Sequence, residues 1–131
     1  MILLDTHALF WLAVRPARLS AAAATAIHRA LPAGGIAIAS VTLVELAAIA
    51  ARGRIQPTGT METWLTELVD RTGVVVKEIT PTIAVLATQF SRDLLHDPAD
   101  RLIAATARAE GLPLVTRDRN LRRSRLIETV W

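Results

Sequence analysis

No cysteine occurs in the 131 residues, which excludes disulfides, zinc–thiolate centres and thiol nucleophiles. Aromatic residues are scarce. Phe10, Phe90, Trp11, Trp64 and Trp131 make up the whole set, too few for a base-stacking platform, and they are assigned to core or interface. Lys77 is the only lysine. Neither familiar glycine-rich phosphate loop is present, which argues against a nucleotide site. His7, His28 and His96 show no metal-ligand spacing, which argues against zinc. The longest apolar stretch, Ile36 to Ala51, is broken by Glu45 and falls short of the roughly 20 residues that span a bilayer. The amino end carries Asp5 and His7 inside its apolar stretch and has no basic region, unlike a secretory signal. A cytoplasmic protein with no membrane contact is expected.

The length suits one domain, 1–131, with a single sizeable core. Repeats, low-complexity tracts and linker-like stretches are all missing. A hydrophobic share of 52% is slightly above the usual range for a soluble domain. The excess has two readings, a subunit or partner interface and an alanine-rich helical surface. The net charge is +3, and five of the fourteen arginines, Arg117, Arg119, Arg122, Arg123 and Arg125, crowd the last fifteen residues. Guanidinium groups there suit bidentate contacts to phosphate. A merely solvated basic face is the other reading.

Short apolar runs alternate with helically spaced segments. Strands are expected at Ile2–Leu4, Ile36–Ser40, Val74–Ile79, Leu114–Thr116 and Leu126–Val130, by their β-branched, turn-bounded character. Helices are expected at Thr6–Val14, Leu19–Leu31 with Ser20 as cap, Thr42–Arg52, Thr60–Arg71, Pro81–Leu95, and from the Asp97-Pro98 pair to Glu110, with Gly53, Gly73 and Gly111 as stops. This alternation implies βα units and a five-stranded, mostly parallel sheet in a three-layer α/β/α sandwich.

Four acids, Asp5, Glu45, Asp100 and Asp118, stand where the chain turns from strand to helix or opens a helix. In an open α/β sheet such positions converge, because ligands bind in the crevice outside the carboxyl ends of the strands. Each acid alone has a plainer role. Asp5 suits capping of the following helix at Thr6 or His7, and Asp118 is flanked by Arg117 and Arg119 as a surface ion pair would be. Thr42-Leu43-Val44-Glu45 matches a capping box. Asp97 suits the N-cap and Pro98 the first helical position, whereas Asp100 lies one turn in and is better placed to reach the crevice. Four caps have no reason to be all acidic when Ser, Thr and Asn serve as well; a cation site has that reason. Ser40 and Thr116, at strand ends, could orient a carboxylate or a water.

The strings MILLDTHALFWL, SVTLVELA and HDPADRLIAATARAEGLPLVTRD, with their spacing, resemble the PIN-domain family, and within it the VapC-type toxins of prokaryotic toxin–antitoxin modules. The likeness covers essentially the whole chain. Asp5, Glu45, Asp100 and Asp118 match the family's four acids in order, while Val44 stands where many relatives carry Trp. The resemblance implies a PIN-like fold and a ribonuclease that uses Mg²⁺ or Mn²⁺. It further implies a homodimer, held inactive by a cognate antitoxin whose carboxyl-terminal segment lies over the active site. On this reading Asp5 and Asp100 are the principal metal ligands, Glu45 and Asp118 complete the site or bind a second ion, and a free carboxylate accepts a proton from the attacking water. A non-catalytic RNA-binding or protein-interaction module on the same fold is the alternative. A phosphoacceptor receiver domain is excluded, because Asp5 is followed by Thr6 rather than an acid, Ile79 leads to Thr80-Pro81, and the only lysine is Lys77.

Overall fold

Three apolar residues form the first strand, β1 (Ile2–Leu4), and all three are buried, as a strand flanked on both sides and covered on both faces must be. The computed structural model describes residues 1–53 and 55–131. After β1 come α1 (Thr6–Val14), a short 3₁₀ turn (Pro16–Arg18), α2 (Ala21–Ala30), β2 (Ile36–Ala39), α3 (Val41–Ala51) and α4 (Met61–Thr72). There follow β3 (Val75–Lys77), α5 (Pro81–Ala87), α6 (Pro98–Glu110), β4 (Leu114–Val115), α7 (Arg119–Arg123) and β5 (Thr129–Val130).

All strand pairs are parallel, in the order β3-β2-β1-β4-β5. The chain steps outward from β1 through β2 to β3, then returns to the other side of β1 for β4. Strand order therefore reverses between β1 and β4, and a crevice opens at their carboxyl ends. Parallel strands need crossover helices that run back against them. The amino ends of α1, α3 and α6 consequently lie along the same edge of the sheet.

Alternate strand residues feed two cores. Ile2, Leu4, Ile36, Ile38 and Val115 pack with Leu9 of α1, Ile27 of α2, Leu46 of α3 and Leu68 of α4. Leu3, Ala37, Ala39 and Leu114 pack on the opposite face with Ile83 of α5, Ile103 of α6 and Leu121 of α7. The three-layer sandwich is thus as expected, with a sheet that is parallel throughout. Burying each of these leucine, isoleucine and valine side chains contributes roughly 1.5–3 kcal/mol.

Caps set most helix ends. Ser20, Thr60 and Thr80 accept from the backbone N–H three residues on, and Gly73 and Gly111 close α4 and α6 in the left-handed region, both at φ 63°. The expected helix Pro81–Leu95 stops at Ala87. There the Thr88 hydroxyl donates to the Val85 carbonyl (2.7 Å) and Ser91 Oγ accepts from Asp93 N–H (3.2 Å), local bonds that compete with the helical ladder. Phe90 and Leu95 are buried all the same, so the apolar spacing reports burial rather than helix. Strands β3 and β5 are shorter than expected, and Ile79 and Leu126 at the outer ends of those runs are exposed and lie outside them. Among the described residues no helix is long and apolar enough to cross a membrane.

Candidate active site

Asp5 ends β1 beside the crevice and is 6% exposed. One carboxylate oxygen accepts from the Ala8 N–H at 2.7 Å and caps α1, while the other accepts from the Thr116 hydroxyl at the end of β4. Thr116 Oγ1 in turn accepts from the Asp118 N–H at 3.0 Å. A single threonine thus links two of the acids across the reversal point of the sheet. Burial is the larger influence on Asp5 and raises its pKa. The Thr116 and Ala8 bonds and the nearby His7 oppose the rise, and the charge of Asp118 adds to it.

The next residue performs a parallel role on the other side. Thr6 Oγ1 lies 2.5 Å from Glu45 Oε1 and 3.2 Å from Thr42 Oγ1. A hydroxyl has one proton and an ionised carboxylate only accepts, so Thr6 donates to Glu45 and the Thr42 hydroxyl serves as the donor to Thr6. The capping box expected at Thr42–Glu45 does not form. Helix α3 begins at Val41, straight after Ser40, which makes no side-chain cap bond. Thr42 is therefore inside the helix, fully buried, and its hydroxyl and the Glu45 carboxylate turn toward α1 instead of toward the backbone of their own first turn.

Asp97 caps α6 through the Ala99 N–H at 2.9 Å, with Pro98 at the first helical position. Asp100, half-buried one turn in, has its pKa pushed up to about 7, first by desolvation and then by repulsion from Asp97, Asp118, Glu45 and Asp5. The three other candidate acids all lie within electrostatic reach of Asp100. Among the described residues no arginine or lysine forms an ion pair with any of the four. Arg101 turns its guanidinium to the Leu95 and His96 carbonyls, at 2.6 and 3.1 Å. Asp118 caps α7 through the Asn120 and Leu121 N–H groups rather than pairing with Arg117 or Arg119. Among the described residues the one ion pair is Lys77–Glu110, at 3.2 Å.

An all-oxygen, anionic donor set matches the chemistry of a hard divalent cation. Among the described residues, however, no three His, Asp or Glu side chains stand close enough together to hold an ion as a protein-only cage. That arrangement fits an ion bound through one or two carboxylates plus water and substrate oxygens, the habit of Mg²⁺. Of the two hydroxyls expected at strand ends, Thr116 orients Asp5 and Ser40 makes no such contact. Thr6 and the bridging role of Thr42 escape the sequence analysis. The available signal was a hydroxyl residue directly after the strand-end acid, in LLDT.

A parallel α/β/α sandwich with four convergent acids at its reversal point defines a class, and the chain belongs to the PIN-domain family, whose model matches residues 2–125. It is 41% identical over 132 residues to Ribonuclease VapC22 of Mycobacterium tuberculosis (strain ATCC 25618 / H37Rv), a match covering 99% of this chain and 98% of that one. The fold is shared with a DNA-bound VapBC from Salmonella typhimurium (TM-score 0.70, 22% identity, 98% of this chain and 97% of that one). It is also shared with VapBC2 from Rickettsia felis bound to a DNA fragment from its promoter (TM-score 0.69, 19% identity, 98% and 97%).

Proposed function

We propose that this protein is a metal-dependent endoribonuclease that hydrolyses RNA phosphodiester bonds in the cytoplasm and is the toxin of a toxin–antitoxin pair. The observation that carries the reading is that Asp5, Glu45 and Asp118 all act electrostatically on Asp100 beside the sheet reversal, with no arginine or lysine among the described residues paired to any of the four. The 41% identity to a ribonuclease along nearly the whole chain supports the substrate class. Asp5 and Asp100 are the residues to hold Mg²⁺ or Mn²⁺, with Glu45 and Asp118 completing the site. Bound there, the ion supplies Lewis acidity toward the phosphodiester and lowers the pKa of a water.

The chain's own residues do the rest. Thr116 and the Ala8 N–H hold the Asp5 carboxylate in one orientation, which spares its reorganisation when substrate arrives. Thr6 holds Glu45 with one oxygen engaged, leaving the other free to accept a proton from the attacking water. Ionised Asp100 strengthens the field for the cation. A homodimer and a protein antitoxin whose carboxyl-terminal segment covers the site complete the proposal; a toxin–antitoxin complex from Klebsiella pneumoniae among the proteins that share this fold supports the antitoxin.

The test is cleavage of mixed tRNA and ribosomal RNA by partner-free protein with Mg²⁺, Mn²⁺ or EDTA, beside Asp100→Asn. Metal-dependent cleavage that the variant loses is expected. Folded protein that cleaves under none of these conditions would favour a non-catalytic RNA-binding module.

A further inference from the structure

A second built feature adjoins the acid cluster. Trp11, on α1, is 8% exposed and stacks at a tilt between His7 (centroids 5.6 Å apart) and Trp131 (5.5 Å). Two guanidinium carbons lie over its ring, Arg18 at 5.5 Å and Arg117 at 6.0 Å. Arg18 belongs to the 3₁₀ turn after α1, whereas Arg117 lies between Thr116 and Asp118 in the sequence. Beside them a groove of about 370 Å³ runs between α1 and α3, lined by His7, Phe10, Trp11, Arg15, Arg18 and Ile49, with no acid in its wall. His7 and Trp11 are one turn apart on α1, and Glu45 and Ile49 one turn apart on α3, so the groove starts beside the carboxylates and leads away from them. Helix α1 has nine residues, so the track is about 13 Å long.

The charge arrangement is unusual for its surroundings. Arg18 and Arg117 are exposed and make no ion pair among the described residues, although two acids of the cluster flank Arg117 within two positions or across its hydrogen-bonded neighbour. A guanidinium stacked on an indole keeps its in-plane N–H donors free. Arg18 and Arg117 thus lie over the Trp11 ring and pair with no acid among the described residues.

We propose that Arg18 and Arg117, oriented by Trp11, form a subsite for the phosphates of single-stranded RNA flanking the scissile bond, with the strand leaving along the α1–α3 groove. The identity of the polyanion rests on the ribonuclease reading; the subsite itself does not need cleavage. The experiment is binding of a fluorescent single-stranded oligoribonucleotide to metal-free Asp100→Asn protein between 50 and 300 mM salt, by anisotropy. It is repeated with Arg18→Gln, Arg117→Gln, both together, and Arg→Lys at each position. Each phosphate contact contributes about 0.7 to the slope of log affinity against log salt, so the double Gln variant should lower the slope by about 1.4. Its affinity at low salt should fall on the order of tenfold. Lysine should keep most of the slope and lose several-fold in affinity, because it keeps charge but not the stacked, bidentate fork. A structural role alone would leave the slope unchanged, and the variants' melting curves check folding. An unchanged slope, or no RNA binding by the parent protein, overturns the subsite. So does a loss seen only with a polyglutamate peptide, which would assign the arginines to an acidic protein partner. If binding follows the expected pattern while the wild type cleaves nothing with metal, the subsite stands and the ribonuclease reading falls.

Discussion

Thr116 donates its hydroxyl proton to Asp5 across 111 residues of sequence, joining the carboxyl ends of β4 and β1 where the strand order reverses. The same oxygen accepts from the Asp118 N–H. A buried carboxylate with two donors is stable in place; with one removed, it keeps its desolvation cost and loses part of the compensation.

Thr116→Val, which preserves shape and removes the hydroxyl, is therefore expected to destabilise the protein by about 1–3 kcal/mol and to lower cleavage at least tenfold. Thr116→Ser should recover most of both. Urea melts and initial cleavage rates check this. A Val variant with full activity would show that Asp5 needs no orienting partner.

Elements announced by their own side chains are legible in the chain. Asp97-Pro98 to Gly111, Thr60 to Gly73 and Ser20 to Ala30 come out within a residue or two of expectation, because caps and stops act locally. Asp5 directly after β1, Asp100 in the first turn of α6 and Asp118 at the cap of α7 stand at element ends that the chain marks locally, whereas Glu45 lies in the second turn of α3. What stays hidden depends on contacts distant in sequence. The Thr42–Glu45 pair has the local signature of a capping box, yet Thr6, 39 residues before Glu45, captures that carboxylate. Likewise residues 88–95 carry helical spacing, but Phe90 and Leu95 satisfy it by packing into the second core without a helix. Arg117 and Asp118 are adjacent in sequence, as an ion pair would have them, yet Asp118 caps α7 and Arg117 lies over the Trp11 ring.

Stability of the metal-free protein should fall as pH rises from about 4 to about 7. Asp100 titrates in the fold at about 7 against an ordinary 3.8, and Asp5 is also raised. The folded state therefore binds more protons than the unfolded state in that window. The associated stability is complete below the unfolded pKa and is lost as pH passes through the folded one. In EDTA the melting temperature should be higher at pH 5.5 than at pH 8. Asp100→Asn should flatten the profile by stabilising the protein at pH 8, and Mg²⁺ should raise the wild type at pH 8 more than the variant. A metal-free wild type that gains stability steadily from pH 5.5 to 8 would contradict the mutual repulsion of the cluster.

Asp97 separates capping from charge, because it does both. Its carboxylate caps α6, and its charge is the largest of the four that raise Asp100. Asparagine caps a helix about as well as aspartate, so Asp97→Asn should leave the melting temperature nearly unchanged while lowering the Asp100 pKa, read from the carboxyl carbon chemical shift during an NMR titration. Asp97→Ala should lower that pKa similarly and also cost about 1 kcal/mol of stability. If an ionised Asp100 is needed to hold the cation, the pH of half-maximal cleavage moves down in both variants, by the same amount despite their different stabilities. A shift that tracked stability instead would mean that Asp97 acts only through the integrity of the α6 amino end, and that Asp100 does not titrate in the activity profile.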